Sequence, residues 1–212
     1  MKASTGIGIA VVTGDGRLFY ELLGELRRRG VGFMVKALGE PLPLTVKAVL
    51  TSEAEAGRLE EALGSRVKVI GCKPGETSRA VSSALQVVYG LKAETLVIGV
   101  DPGKTFGYAA VIGGRVVEKA SYSSLEGLGE ALLRAAENWK PSMVVLKVGR
   151  RPWTESFLNS FRKLVGRLRK AGFKVELRLV DEAGTTVRAK RKGAKHREAD
   201  EASAVEIALK EG

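Results

Sequence analysis

Residues Leu96–Ile112, LVIGVDPGKTFGYAAVI, constrain this chain more than any other stretch. Two apolar runs, Leu96–Val100 and Tyr108–Ile112, flank Pro102, Gly103 and Gly107. Apolar runs of that length, bounded by Gly and Pro, read as buried strands joined by a tight turn. Asp101 therefore stands at the end of an interior strand. A carboxylate there must be hydrogen-bonded, ion-paired or metal-bound, because an isolated buried charge is very costly. Either Asp101 caps the turn, as Asp before Pro-Gly often does, or it marks a chemical site.

Around this stretch the sequence divides in two. Residues 1–91 alternate short apolar runs with helical patterns. Strands are expected over 6–14, 31–37, 45–50 and 67–71, and helices over 16–30, 53–63 and 77–89. Ser52 is placed to cap the second helix and Gly90 to end the third. Such alternation predicts a small α/β domain, Rossmann-like or flavodoxin-like, with a largely parallel sheet. Gly14-Asp15-Gly16 follows the first strand and could cradle a phosphate at a helix start. The dinucleotide fingerprint is absent, which favours a structural role or the docking of a partner over a ligand.

Residues 92–212 begin with the Asp101 strand. Gly113-Gly114 makes a hairpin between Tyr108–Ile112 and Arg115–Ser121, so three strands form an antiparallel meander. A helix over 124–139 follows, with Leu125, Leu128, Leu132 and Leu133 inward, and Pro141 stops it. A strand over 143–148, a long amphipathic helix over 152–171 and a strand over 173–180 come next. The last helix is expected over 196–210. Three antiparallel strands followed by helix, strand, helix, strand, helix is the ribonuclease H-like order, giving a mixed five-stranded sheet. In that geometry the end of the first strand, the ends of the fourth and fifth, and the start of the last helix converge.

Charge bears on partners. The net charge is +11 with a pI near 9.9. Residues 91–212 carry 23 Lys or Arg against 15 Asp or Glu, so most of the excess lies in the half that holds Asp101. Such a surplus points to a polyanionic partner, most often nucleic acid. One cysteine, Cys72, excludes a disulfide framework within the chain and suits a reducing cytoplasm. No apolar run approaches a membrane span, and GIGIAVV reads as a first strand rather than a signal peptide. The only amides, Gln86, Asn138 and Asn159, sit among abundant Glu, Lys and Arg, which suggests a thermophile.

Three acidic positions fall where the topology converges: Asp101, Asp181-Glu182 and Asp200-Glu201. Clustered carboxylates oppose one another unless a cation sits among them. Oxygen donors without a thiolate set favour Mg2+ or Mn2+ over zinc. Two such ions can activate a water and stabilise a leaving oxygen in phosphodiester hydrolysis. Catalytic carboxylates are thus expected at Asp101, Glu182 and Asp200, with Asp181 and Glu201 completing the metal set.

The motifs carry a resemblance as well. DPGKTFGYAAVI resembles the first motif of the RuvC/YqgF family of Holliday-junction resolvase-like nucleases. VDEAGTT (180–186) is similar to the strand-five motif of the YqgF branch, and ADEASAVEIAL (199–209) to its final helix. All three stand in the expected order within about residues 95–212, and the chain also resembles archaeal proteins described as possible nucleases of ribonuclease H fold. The resemblance implies metal-dependent cleavage of DNA junctions or processing of structured RNA, often by homodimers. It departs at one place. Many relatives carry Glu on strand four, where VVLKVGRR has Lys147, although the YqgF branch also lacks that Glu. The Lys147 ammonium would oppose the cations, meet a phosphate or point away. His196, four residues before Asp200, would share its helical face and is either a metal or proton accessory or a solvated side chain. Phosphate contacts are expected from Lys104, Arg150, Arg151, Arg162, Lys163, Arg167, Arg188, Lys190, Arg191, Lys192, Lys195 and Arg197. Trp153 is expected to pack the start of its helix. Three other classes compete with the nuclease: a non-catalytic nucleic-acid-binding module, an ATP-binding protein of the actin and sugar-kinase type, and a scaffold for an acidic protein.

Overall fold

The computed structural model describes residues 7–150, 155–181 and 196–210. It divides into two compact units, Met1–Leu91 and Lys92–Gly212. No described helix is long and apolar enough to cross a membrane.

The first unit contains β1 (Ile9–Val11), α1 (Gly16–Arg28), β2 (Met34–Val35), β3 (Ala48–Ser52), α2 (Glu53–Leu63), β4 (Lys68–Cys72) and α3 (Thr77–Tyr89). Its four strands are all parallel, in the order β2-β1-β3-β4. Ala10, Val12, Val49 and Val69 meet Leu59 of α2 in one buried cluster. Leu18, Leu22 and Leu26 of α1 and Val81, Ala84 and Leu85 of α3 are buried as well. The Arg29 guanidinium ties α1 to α3. It reaches Glu25, the Ser82 hydroxyl at 2.9 Å and the Ser78 hydroxyl at 2.7 Å. This unit has no antiparallel meander among its described residues, so it is not a second copy of the other fold.

The second unit contains β5 (Thr95–Pro102), β6 (Phe106–Ile112), β7 (Arg115–Tyr122), α4 (Leu125–Trp139), β8 (Met143–Arg150), α5 (Glu155–Lys170), β9 (Val175–Asp181) and α6 (His196–Leu209). The sheet order is β7-β6-β5-β8-β9. β5, β6 and β7 are antiparallel, and β8 and β9 add in parallel beyond β5. This is the ribonuclease H-like arrangement: a mixed α/β domain with β5 at its centre.

Alternation along the strands sorts the sheet into two faces. Phe106 stacks on Phe157 of α5, and Arg134 of α4 donates to the Tyr122 hydroxyl, which places Phe106, Tyr108 and Tyr122 toward α4 and α5. α4 and α5 cross at Gly129, where a Cβ would lie 2.7 Å from Leu164 Cδ2. The opposite face carries Gly99 and Asp101 of β5, Gly107 and Ala109 of β6, and Lys147 of β8, and α6 covers it. α6 lies unusually close. A Cβ on Gly99 would come within 2.1 Å of the Ala204 carbonyl oxygen, and one on Gly107 within 2.1 Å of the Asp200 carbonyl oxygen. Ala204 and Ala208 keep the helix slim where it meets β5.

Several expected bounds shift. β1 is shorter than 6–14 because Thr13 and Gly14 turn away to bond a side chain of α2. β2 shrinks to two residues at the sheet edge, where only β1 offers it partners. β3 runs two residues past Leu50, so Ser52 both ends the strand and caps α2. α2 and α3 span 53–63 and 77–89 as their caps predict.

Candidate functional site

Asp101 pairs directly opposite Gly107 across the β5–β6 ladder. Opposed residues of an antiparallel pair share a face and lie about 5 Å apart at Cβ. Gly107 lacks a side chain, and the space it leaves is filled by the backbone of Asp200 on α6. Asp101 and Asp200, 99 positions apart in sequence, are thereby brought to one place at the end of the central strand. Asp101 is buried, at 7% exposure.

The turn from β5 to β6 completes this place. Residues 103–105 form a three-residue connection closed by a hydrogen bond from the Gly103 N–H to the Thr105 carbonyl, 3.0 Å. The Thr105 hydroxyl then donates to Asp200 Oδ2. Sequence reasoning passes over Thr105. Only the turn chemistry around it is local, and its partner lies 95 residues away.

Other expected residues fall around this point at different distances. Glu201, next to Asp200, pairs with Lys119 of β7 at 3.1 Å. Asp181 is exposed at the end of β9, and its carbonyl accepts from the Lys210 ammonium at 2.5 Å. By register Val180 shares the α6 face, so Asp181 falls on the other. Lys147 is buried on the α6 face beside Gly99, two residues back from Asp101. Its ammonium donates to the carbonyls of Ala208, at 3.1 Å, and of Lys210. Those carbonyls lie in and just past the last turn of α6, about 12 to 15 Å along the helix from Asp200 at 1.5 Å per residue. A cation there suits the exposed carbonyls and the dipole of a helix C-terminus.

Glu182, Arg151, Trp153, Arg188, Lys190, Arg191, Lys192 and Lys195 lie outside the described residues. His196 and Arg197 open α6, and Arg150 ends β8 in register with Asp181; their side chains are not described. Lys104 is exposed in the 103–105 turn. Arg162, Lys163 and Arg167 are exposed on α5, with Arg169 and Lys170 alongside.

The oxygen donors fit Mg2+ or Mn2+ in kind. Mg2+ is commonly held by one or two carboxylates with substrate phosphate and water completing its shell. Asp101 and Asp200 are two such residues, one on β5 opposite Gly107 and the other on the helix packed against Gly107. Among the described residues, no group of three His, Cys, Asp or Glu is gathered to hold a metal.

The N-terminal unit presents a different picture. In an open parallel sheet, ligands enter the crevice at the carboxyl ends of strands where the connections reverse direction. Here that crevice lies between β1 and β3, and the Glu55 carboxylate fills it. Glu55 accepts from the Thr13 hydroxyl (2.6 Å), the Gly14 N–H (2.7 Å) and the Ser52 hydroxyl (2.6 Å). Burial raises the Glu55 carboxyl, but the hydrogen bonds from Ser52, Thr13 and Gly14 outweigh it and bring it down to about 2. The Gly14 N–H thus binds a protein carboxylate where a phosphate was conceivable from sequence. Burial pushes the nearby Cys72 thiol up to about 11, so it is not a thiolate nucleophile at neutral pH.

Comparison with known proteins gives one family-model match and several solved structures. A family model described as "Response regulator receiver-like domain" matches residues 8–88. Among solved structures, RuvC of Thermus thermophilus is similar at 14% identity and TM-score 0.38, covering 54% of this chain and 91% of that one. The same protein in complex with a Holliday junction substrate is similar at 15% identity and TM-score 0.37, covering 54% and 90%. A beta-decarboxylating dehydrogenase from Thermococcus kodakarensis is similar at 13% identity and TM-score 0.25, covering 94% of this chain and 68% of that one. Comparison with curated proteins gives no match.

Proposed function

We propose that residues 92–212 form a divalent-metal-dependent nuclease domain acting on structured nucleic acid, a DNA junction or a folded RNA. The observation that supports this reading is the packing of the Asp200 backbone on Gly107, directly opposite Asp101, in a domain whose α5 carries an exposed basic face. Asp101 and Asp200 would hold Mg2+ or Mn2+, with Glu182 as a third carboxylate and Glu201, next to Asp200 on α6, as a further acid. When bound, such ions supply Lewis acidity at a phosphodiester and ease deprotonation of the attacking water; a pair of ions serves both the entering and leaving oxygens. The chain's own part is positional. Burial at the strand end fixes Asp101, and the docking of α6 on Gly99 and Gly107 brings Asp200 to it. Arg162, Lys163, Arg167 and Lys104 neutralise backbone phosphates and orient the nucleic acid.

A second reading, a nucleic-acid-binding module without catalysis, draws on the partners these acids already have: Thr105 on Asp200 and Lys119 on Glu201. Asp101→Asn separates the two. Asn keeps the shape of the turn and removes the charge that holds the cation. Under the nuclease reading, wild type cleaves a member of a panel of junction, flap, duplex and single-stranded DNA and RNA with Mg2+ or Mn2+. Asp101→Asn then loses that cleavage and keeps its affinity for the substrate. Equal cleavage by both proteins refutes the mechanism, and tight binding with no cleavage by wild type favours the binding module.

A further inference from the structure

Resting on that reading, we infer that Thr105 is a positioning residue for the metal site, acting through Asp200. Asp200 belongs to the first turns of α6, where a short acidic side chain has several staggered positions open to it. The Thr105 hydroxyl selects one of them by donating to Oδ2. The donor itself is held. Thr105 closes a three-residue turn through its carbonyl, and its β-branched side chain is stiff about χ1. That turn is continuous with β5, whose end carries Asp101. One segment thus presents Asp101 directly and holds the Asp200 carboxylate at second hand, through the last residue of a three-residue turn.

The next acid on α6 is treated differently. Glu201 is drawn to Lys119 on β7, two strands away from Asp101. The two contacts, Thr105 with Asp200 and Lys119 with Glu201, fix the roll of α6 about its axis and direct Asp200 inward. Hydrogen-bond partners of ligating carboxylates are worth 10–100-fold in metal affinity.

The test is equilibrium Mn2+ binding to the full chain, by calorimetry or by the electron paramagnetic resonance signal of free Mn2+, with no substrate present. Thr105→Val keeps the branched shape and removes the hydroxyl. It is expected to bind Mn2+ roughly 10–100-fold more weakly than wild type at an unchanged melting temperature. Thr105→Ser restores the hydroxyl and the affinity. Should Val unfold the chain, Thr105→Ala read against Thr105→Ser gives the same comparison. Loss of Mn2+ binding by Asp200→Asn together with wild-type affinity in Thr105→Val overturns the positioning role and leaves the metal site standing. Wild-type affinity in Asp101→Asn and Asp200→Asn alike overturns the metal site, and the role of Thr105 with it.

Discussion

At the residue scale, two strongly perturbed carboxylates belong to the N-terminal unit. Glu55 and Glu25 both sit near 2 against an ordinary 4.5. Burial raises each of them. Glu25 is then lowered by the Arg28 hydrogen bond and by the charges of Arg29 and Arg28, and Glu55 by neutral donors alone. A carboxyl whose folded value lies below its unfolded one stabilises the fold above the unfolded value, and that stability is lost as pH falls toward the folded value. Both groups therefore contribute fully above pH 4.5, and their contribution drains away between 4.5 and about 2. Glu55→Gln is expected to flatten this acid limb and to lower stability at neutral pH by about 1–3 kcal/mol, since a carboxylate that accepts several hydrogen bonds is exchanged for an amide. Urea denaturation of the full chain at a series of pH values reads both effects. A mutant acid limb as steep as that of wild type excludes Glu55 as a contributor.

At the element scale, α6 is positioned by what β5 and β6 lack. A Cβ on Gly107 would intrude on the Asp200 backbone and one on Gly99 on the Ala204 backbone, neither of which can swing aside as a side chain could. Gly107→Ala must lift the start of α6, at a cost of roughly 1–3 kcal/mol in overpacking. It separates Asp200 from Asp101 and from Thr105 at the same time. The expected outcome is a lowered melting temperature together with weakened Mn2+ binding, whereas Gly166→Ala, on α5 with open space around it, leaves both unchanged. The contrast explains what sequence can and cannot reveal. Asp101 is legible because it ends an apolar run before Pro-Gly, and α2 and α3 are legible because Ser52 and Gly90 signal locally. The meander is legible from Gly113-Gly114. The hydroxyl on Asp200, the glycine seat of α6 and the carboxylate in the β1–β3 crevice are not, because each joins residues 41 to 105 positions apart and leaves no periodic trace. Lys147 is the instructive case. Its place on β8 follows from the strand pattern, but the ammonium's attachment to the far end of α6 depends on where that helix stops.

At the scale of the whole molecule, the surplus of positive charge finds a surface on α5. Arg162, Lys163, Arg167, Arg169 and Lys170 are exposed there, while Phe161, Leu164, Val165 and Leu168 are buried beneath. Each phosphate contact contributes about one unit to the dependence of log affinity on log salt. Replacing Arg162, Lys163, Arg167 and Lys170 together by Ala is expected to weaken binding to all substrates alike and to reduce the salt slope by up to about four units. Fluorescence anisotropy across a salt series measures it, and an unchanged slope removes α5 from the contact surface. The glycine seat has one more consequence, and it concerns time. Asp101 and the turn that carries Thr105 emerge early in the second unit, but the surface they form is closed by a helix translated about 100 residues later. On a ribosome adding about 5–20 residues per second, the chain exists for several seconds with Asp101 made and Asp200 not yet joined. The place where Asp101 and Asp200 come together does not exist until the segment 196–209 has been made and has settled onto the two glycines.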